Sequence, residues 1–313
     1  MPENTYSGFE IREATHDDYE DVAAIAEQTW GGDDYLTDVY HDWLEGENRY
    51  TLVGTVDGSV AGIAQVVMLS PYEAWGQGLR TAPDHRGKGI SEAITYELFD
   101  WARDQGAVVS RAMVFSWNQA GLGQSRATGY EPVTEFRWVR PEPEPGTFPD
   151  SVTCDPDAAW GYWTTSDAAA ALSGLTLSMD ESWAAQELTR DLLARAADDT
   201  TVLTVADGDG THGFAYRSRT FEGETEDDEP AMWAEYGVAA WDSIETARTL
   251  IEAIKVDADD CGADRIRVLI PETAGYVSDA AYIRSNIGEE PDFIVAADLT
   301  ADYRREGPTA RSR

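Results

Sequence analysis

The sequence predicts an α/β protein of two successive domains. Strand-like apolar runs alternate with stretches of helical period, a Pro-rich segment at 141–150 divides the chain near its middle, and the pattern before that segment recurs after it. With 313 residues, each half is long enough to bury a core of its own.

Residues 9–12 read as a short strand. Thr15 followed by His16, Asp17 and Asp18 then starts a helix, since acidic residues in a first turn meet the positive end of the helix dipole. Val22, Ala23, Ile25, Ala26 and Trp30 give that helix an apolar face, and a second helix is expected over 38–44. Strands at 50–56 and 60–69 are joined by Asp57-Gly58, a strong hairpin signal. A strand ending at Thr81, a glycine-bearing loop, a helix reaching 102–104 and a strand at 108–115 follow. Beyond the linker, 201–206 and 213–218 mirror the first hairpin. Residues 234–239, a helix over 243–257 and a strand at 265–270 mirror the second part, with Gly237 in the place of Gly78 and Gly262 in that of Gly106. Trp241-Asp242-Ser243 stands where the first copy has its glycine loop, so the second copy is expected to have lost a phosphate cradle. The expected division is a domain at 1–140, a stiff linker at 141–150, a degenerate second copy at 151–301 and a frayed tail at 302–313.

Acidic residues number 59 against 23 basic ones, a formal net charge of −36, and lysine occurs only at Lys88 and Lys255. That balance predicts a salt-adapted, halophilic cytoplasmic protein whose surface stays soluble where concentrated salt screens its self-repulsion. It excludes nucleic acid and anionic membrane as partners, because both demand a basic surface. An acidic disordered chain is excluded by 42% hydrophobic residues and 11 Trp. No secretory signal is expected, no apolar run reaches membrane-spanning length, and Cys154 and Cys261 form neither a disulfide framework nor a metal spacing. The histidines, His16, His41, His85 and His212, are scattered, so no metal is expected.

The most informative stretch is 79–91, LRTAPDHRGKGIS, a strand, a proline and a loop opening an amphipathic helix. The unsatisfied N–H groups of a helix start make an anion site, and glycines let backbone approach a phosphate. A Walker loop would need Ser or Thr after Lys88, and a dinucleotide fingerprint would need a third glycine. The spacing Arg86-x-x-Gly89-x-Ser91 after such a strand resembles the acetyl-CoA loop of the GNAT N-acetyltransferases, with Ser91 where Gly or Ala is usual. The element order of the first half is also that of GNAT proteins. The resemblance implies two tandem GNAT-like domains, each a mixed, mostly antiparallel sheet flanked by helices, the first binding acetyl-CoA.

By the same resemblance, Leu79, Arg80 and Thr81 lend main-chain groups to the pantetheine arm and thioester. Arg86, Gly87, Lys88, Gly89, Ile90 and Ser91 hold the pyrophosphate, and Asn118 helps hold the cofactor. Amide formation asks for loss of a proton from the acceptor ammonium, a donor to the thioester oxygen and a proton for the leaving thiolate. Glu73 is a candidate base and Gln77 a candidate for orienting water or acceptor; Ser125 occupies the position where the family usually carries a thiolate-protonating Tyr. Asp33, Asp34 and Tyr35 lie where GNAT proteins bind the acceptor and are candidates for a cationic amine. The run through Trp43-Leu44, the hairpin and Gly78-Leu79-Arg80 is similar to the histidine N-acetyltransferase group, in which Glu rather than Gln77 is expected. The expected activity is acetylation of a primary amine on a small molecule, a free amino acid in particular. A peptide or protein acetyltransferase and a non-catalytic acyl-CoA sensor or scaffold are the competing readings. The oligomeric state is left open.

Overall fold

A computed structural model describes residues 8–29, 34–225, 229–301 and 303, and the backbone at 4–6. The chain folds as two compact units: Met1–Val114, Asn118–Pro132 and Val295–Arg313 form the first, Phe115–Trp117 and Val133–Ile294 the second. The Pro-rich segment 141–150 thus lies within the second unit, and residues 295–301, expected in the second domain, belong to the first.

In chain order the first unit contains β1 (Asn4–Tyr6), β2 (Phe9–Glu13), α1 (Tyr19–Ala26), α2 (Leu36–Val39), β3 (Arg49–Val56) and β4 (Ser59–Met68). β5 (Glu73–Thr81), α3 (Ile90–Asp104), β6 (Val109–Phe115) and α4 (Gln119–Ala127) follow. The sheet order is β1-β2-β3-β4-β5-β6, antiparallel throughout except that β5 and β6 run parallel. The helix start expected at Thr15 is a capping box with Asp18, whose carboxylate also takes Arg12. Asp21 of α1 accepts the Val60 N–H at 2.8 Å, fastening the helix to the hairpin. The expected second helix is α2 followed by a 3-10 turn at Asp42–Leu44, with Leu36, Tyr40 and Trp43 buried. Asp57 and Gly58 have φ of 51° and 88°, the left-handed pair that a two-residue hairpin turn requires.

α3 lays Ile90, Ile94, Leu98 and Phe99 into the core over β3 and β4. Gly54 and Gly62 make that approach possible, since a Cβ would lie 2.5 Å or 3.1 Å from Ile90. The N-terminus of α3 is therefore seated close against the sheet.

The second unit takes in most of β7 (Glu131–Arg140), then β8 (Val152–Thr153), α5 (Pro156–Trp163), α6 (Asp167–Ala171), β9 (Leu175–Leu177), β10 (Ala185–Glu187) and α7 (Arg190–Asp199). It continues through β11 (Thr201–Asp207), β12 (Gly210–Glu224), β13 (Pro230–Trp241), α8 (Ile244–Asp260), β14 (Arg265–Pro271), α9 (Ala274–Tyr282), β15 (Asn286–Ile287) and the start of β16 (Asp292–Asp298). Its sheet order is β7-β14-β13-β12-β11-β8, with β13 and β14 parallel. Both units are thus mixed, mainly antiparallel sheets flanked by helices, and each holds one parallel pair bridged by a long helix, α3 in one and α8 in the other.

Each sheet is completed by a strand that follows the other unit's last helix. β7 follows α4 yet pairs with β14, while residues 295–298 of β16 follow α9 yet pair with β6. Val295, Ala297 and Leu299 are buried with Ile94 and Phe99, and Arg103 donates to the carbonyls of Leu299 and Ala301 at 2.6 Å and 2.7 Å. Among the described residues, no helix is long and apolar enough to cross a membrane.

Candidate functional site

The site begins where β5 bulges against β4 and parts from β6. Against β4 the register runs Gln65↔Gln77 and then Ile63↔Arg80, so Gly78 and Leu79 bulge opposite Ala64. Gly78 has φ +65°, and a Cβ there would sit 2.1 Å from the Trp43 ring. Against β6 the parallel register covers Glu73–Trp75 alone among the described residues and then stops. From Gly76 to Thr81 the strand therefore presents main-chain groups to a widening gap, which is where Leu79, Arg80 and Thr81 were expected to serve a thioester and its arm.

Past Thr81 the chain enters the loop. Arg86 closes it by donating Nε–H to the Thr81 carbonyl at 3.3 Å, and Lys88 Nζ stands 3.2 Å from His85 Nδ1. Gly87 and Gly89 have φ of +75° and +84°, and a Cβ on either would meet nothing within 4 Å. These glycines answer to backbone conformation and to open space beside the loop. Gly89 is the N-cap of α3 and gives no side-chain cap, so the first N–H groups of the helix, at Ile90 and Ser91, have no capping acceptor from it.

The second unit resolves the same positions differently. Ser243 caps α8 by accepting the Thr246 N–H at 3.2 Å, and the adjacent Asp242 accepts from Thr246 Oγ at 3.2 Å. His212 bridges Asp242 and Asp207 at 2.7 Å and 3.0 Å, and those two carboxylates raise its pKa. At the end of β13 the Tyr276 hydroxyl donates to the Trp241 carbonyl at 2.9 Å and accepts its N–H at 3.2 Å. Burial pushes Tyr276 up to about 12, so it stays a phenol. Tyr276 is the residue whose N–H is taken by the α9 N-cap Thr273; in α4, Asn118 takes the N–H of Gly121 in the same way at 2.9 Å. A glycine in the first unit thus stands where a ring blocks the strand end in the second.

The expected catalytic and acceptor residues fall into separate environments. Glu73 is 2% exposed, its carboxylate paired with Arg111 and accepting from Ser70 Oγ at 3.1 Å. Ser125 donates its hydroxyl to the Gly121 carbonyl at 2.9 Å, a bond within its own helix. Tyr130 fills the space under Gly76, 3.0 Å from Ser110 Oγ, and burial pushes it up to about 12. Asp33 lies outside the described residues. Asp34 is buried and spends both carboxylate oxygens on Arg80, at 2.7 Å and 3.2 Å, while that guanidinium stands 5.7 Å from the Tyr35 ring centroid. Arg80 thereby ties the loop before α2 to β5.

Gln77 belongs to a relay that sequence reasoning missed. Its Nε2 donates to Gln65 Oε1 at 2.7 Å, and Gln65 Nε2 donates to the Trp43 carbonyl and Thr51 Oγ, each at 2.8 Å. The visible signal was Gln65 itself, a lone polar residue in the apolar run of β4.

The first unit thus brings together a strand parted from its neighbour, a helix start without a side-chain cap and a left-handed glycine pair. Residues 10–123 match the model of the Acetyltransferase (GNAT) family. Histidine N-acetyltransferase of Oreochromis niloticus is 33% identical over 89 residues, 28% of this chain and 26% of that protein. Streptothricin acetyltransferase of Streptomyces lavendulae is 40% identical over 75 residues, 21% of this chain and 37% of that protein. The chain thus spans about a quarter of the length of the histidine acetyltransferases it matches. A GCN5-related N-acetyltransferase from Sphaerobacter thermophilus has the same fold over both units, with TM-score 0.57 at 13% identity, covering 95% of this chain and 97% of that one.

Proposed function

We propose that the chain is an acetyl-CoA-dependent N-acetyltransferase acting on the primary amine of a small molecule, with a free amino acid as the acceptor class. The observation that carries this reading is the contrast between the two parallel-strand gaps. The first keeps glycines and an uncapped helix start where the second fills both with Tyr276, Ser243 and Asp242. The histidine N-acetyltransferase relatives support the acceptor class.

In the proposed reaction the lone pair of the neutral amine attacks the thioester carbonyl, the C–S bond breaks, and coenzyme A leaves as a thiolate that takes up the proton given up by the nitrogen; with a thiol pKa near 8.5 it needs little acid assistance. Main-chain N–H groups of the loosened β5 stabilise the developing oxyanion, a contribution worth about 3–4 kcal/mol per donor. Because Glu73 is committed to Arg111 and Ser70, Gln77 is the better placed residue to orient the amine. An α-amino group, with pKa about 8, sheds its proton with little help from a base.

A non-catalytic acyl-CoA sensor is the second reading, favoured by the commitment of Glu73 and by the Ser125 hydroxyl bonding to its own helix. Release of free thiol from acetyl-CoA separates the two, measured in molar KCl across free amino acids, polyamines, aminoglycosides and peptides. Fast release with one free amino acid, abolished in Gly89→Asp, is the expected result. Binding without release for any acceptor would replace the enzyme with the sensor. Tight acetyl-CoA binding retained by Gly89→Asp would remove the cofactor assignment altogether.

A further inference from the structure

On the second unit a groove of about 370 Å³ opens between the end of β7, one face of α8 and the turn after α9. Arg140, Arg248, Lys255 and Arg284 line it against two carboxylates, Glu142 and Glu252. That local excess of cations reverses the balance of the whole chain, 23 basic residues to 59 acidic. Arg248, Glu252 and Lys255 follow helical spacing along α8, with Ile251 beside them as an apolar floor. Lysine occurs in this chain only in the glycine loop of the first unit and in this groove. Lys255 is held 3.3 Å from Glu144, whereas the exposed side chains of Arg248 and Arg284 meet no carboxylate among the described residues.

The backbone at Arg284 is the second observation. It has φ +62° and ends α9 in the left-handed conformation, with the Ser285 N–H bonded to the Ala280 carbonyl at 3.1 Å. The same closure ends α4 at Gly129, α3 at Gly106 and α8 at Gly262, with φ of +100°, +103° and +76°, and α6 at Ser173, with φ +54° and its hydroxyl donated to the Val133 carbonyl at 3.2 Å. Glycine adopts that conformation without strain and a Cβ does not. At the one of these helix ends that borders the groove, the chain carries an arginine in place of glycine, and strain of this kind persists where a side chain is needed for something else.

We propose that the groove binds a small polyanion, a molecule with two or more carboxylate or phosphate groups. Guanidinium forks match both groups in bidentate geometry, and the apolar floor seats a short carbon skeleton between them. In concentrated salt, attraction between separated charges is screened within a few ångströms, so affinity comes from direct contacts made together. A singly charged anion makes too few of them. The site is independent of acetyl transfer and of the acyl-CoA loop.

Equilibrium dialysis of radiolabelled citrate against the full chain, in about 0.5 M KCl, tests the proposal, with inorganic pyrophosphate run in parallel on the Gly89→Asp chain to determine whether phosphate is also taken. The expected result is saturable binding of at least one probe, unchanged by Gly89→Asp and weakened about a hundredfold in the double variant Arg248→Glu, Arg284→Glu, which removes two charge-assisted contacts. Arg284→Gly is the variant that cannot fail through misfolding: it should raise Tm while weakening binding about tenfold. A merely structural Arg284 would leave binding unchanged. Equal binding by the double variant, or no saturable binding of either probe, would overturn the proposal. So would citrate binding lost in Gly89→Asp but kept in the double variant, since that places the anion at the start of α3.

Discussion

At position 77 one buried amide decides what chemistry is available. The Trp43 carbonyl only accepts, so Gln65 must turn its Nε2 towards it and its Oε1 towards Gln77. A carboxylate at 77 would face an acceptor, which favours its protonated form. Gln77→Glu should therefore cost about 1–3 kcal/mol at pH 8, where an ionised carboxylate is left facing an oxygen, and recover much of it at pH 5. Urea unfolding at the two pH values checks this. A second buried acid behaves similarly in the other unit. Burial pushes Asp292 up to about 6 despite the indole N–H of Trp138 at 3.0 Å. Between its unfolded pKa of about 3.9 and that value the native state holds the extra proton, so stability falls as pH rises through the window, by up to about 3 kcal/mol. Asp292→Asn keeps an acceptor for Trp138, and its unfolding free energy should stay flatter from pH 4 to pH 7. The glycine pair at 87 and 89 was legible in the sequence because left-handed backbone selects glycine. The partners of Asp34, Glu73 and Gln77 were not, because Arg80, Arg111 and Gln65 are brought to them by strand register rather than by sequence proximity.

Among the elements, β5 carries the most constraint per residue. Gly78→Ala would add a Cβ both to a left-handed backbone and into the Trp43 ring, at 2.1 Å. The expected loss is about 3 kcal/mol, with the Trp43 ring displaced, and denaturant unfolding of the variant measures it. The first hairpin, α3 and β6 were legible within a residue or two, because turn residues and periodicity mark them on both sides. The second hairpin was read too short. β12 extends to Glu224 and β13 begins at Pro230, yet Arg219, Glu222 and Glu224 in that extension give the composition of a loop. The degenerate cap of α8 was legible as a missing glycine loop. What fills the end of β13 was not, since Tyr276 arrives from an element thirty-odd residues further on.

For the whole molecule, a net charge of −36 makes cohesion depend on the solvent. Raising KCl from about 0.1 M to about 2 M shortens the Debye length from roughly 10 Å to under 3 Å. Thermal scans should show Tm rising on the order of 10 °C, the effect of a few kcal/mol in a chain this size. The domain boundary suggested by the Pro-rich segment misses the exchange of closing strands, because no local signal in β7 or β16 says which sheet it will join. That exchange sets the order of events during synthesis. The first sheet takes residues 295–298 as the neighbour of β6, so a ribosome has made the entire second unit before the N-terminal core can close. Through that interval β6 offers an open edge, the feature that most invites wrong pairing. Nascent chains stalled before Val295 should stay open to protease along their N-terminal half, and a fragment ending at Arg140 should fail to fold. Two units that look like separable copies are, to the folding machinery, a single product delivered late.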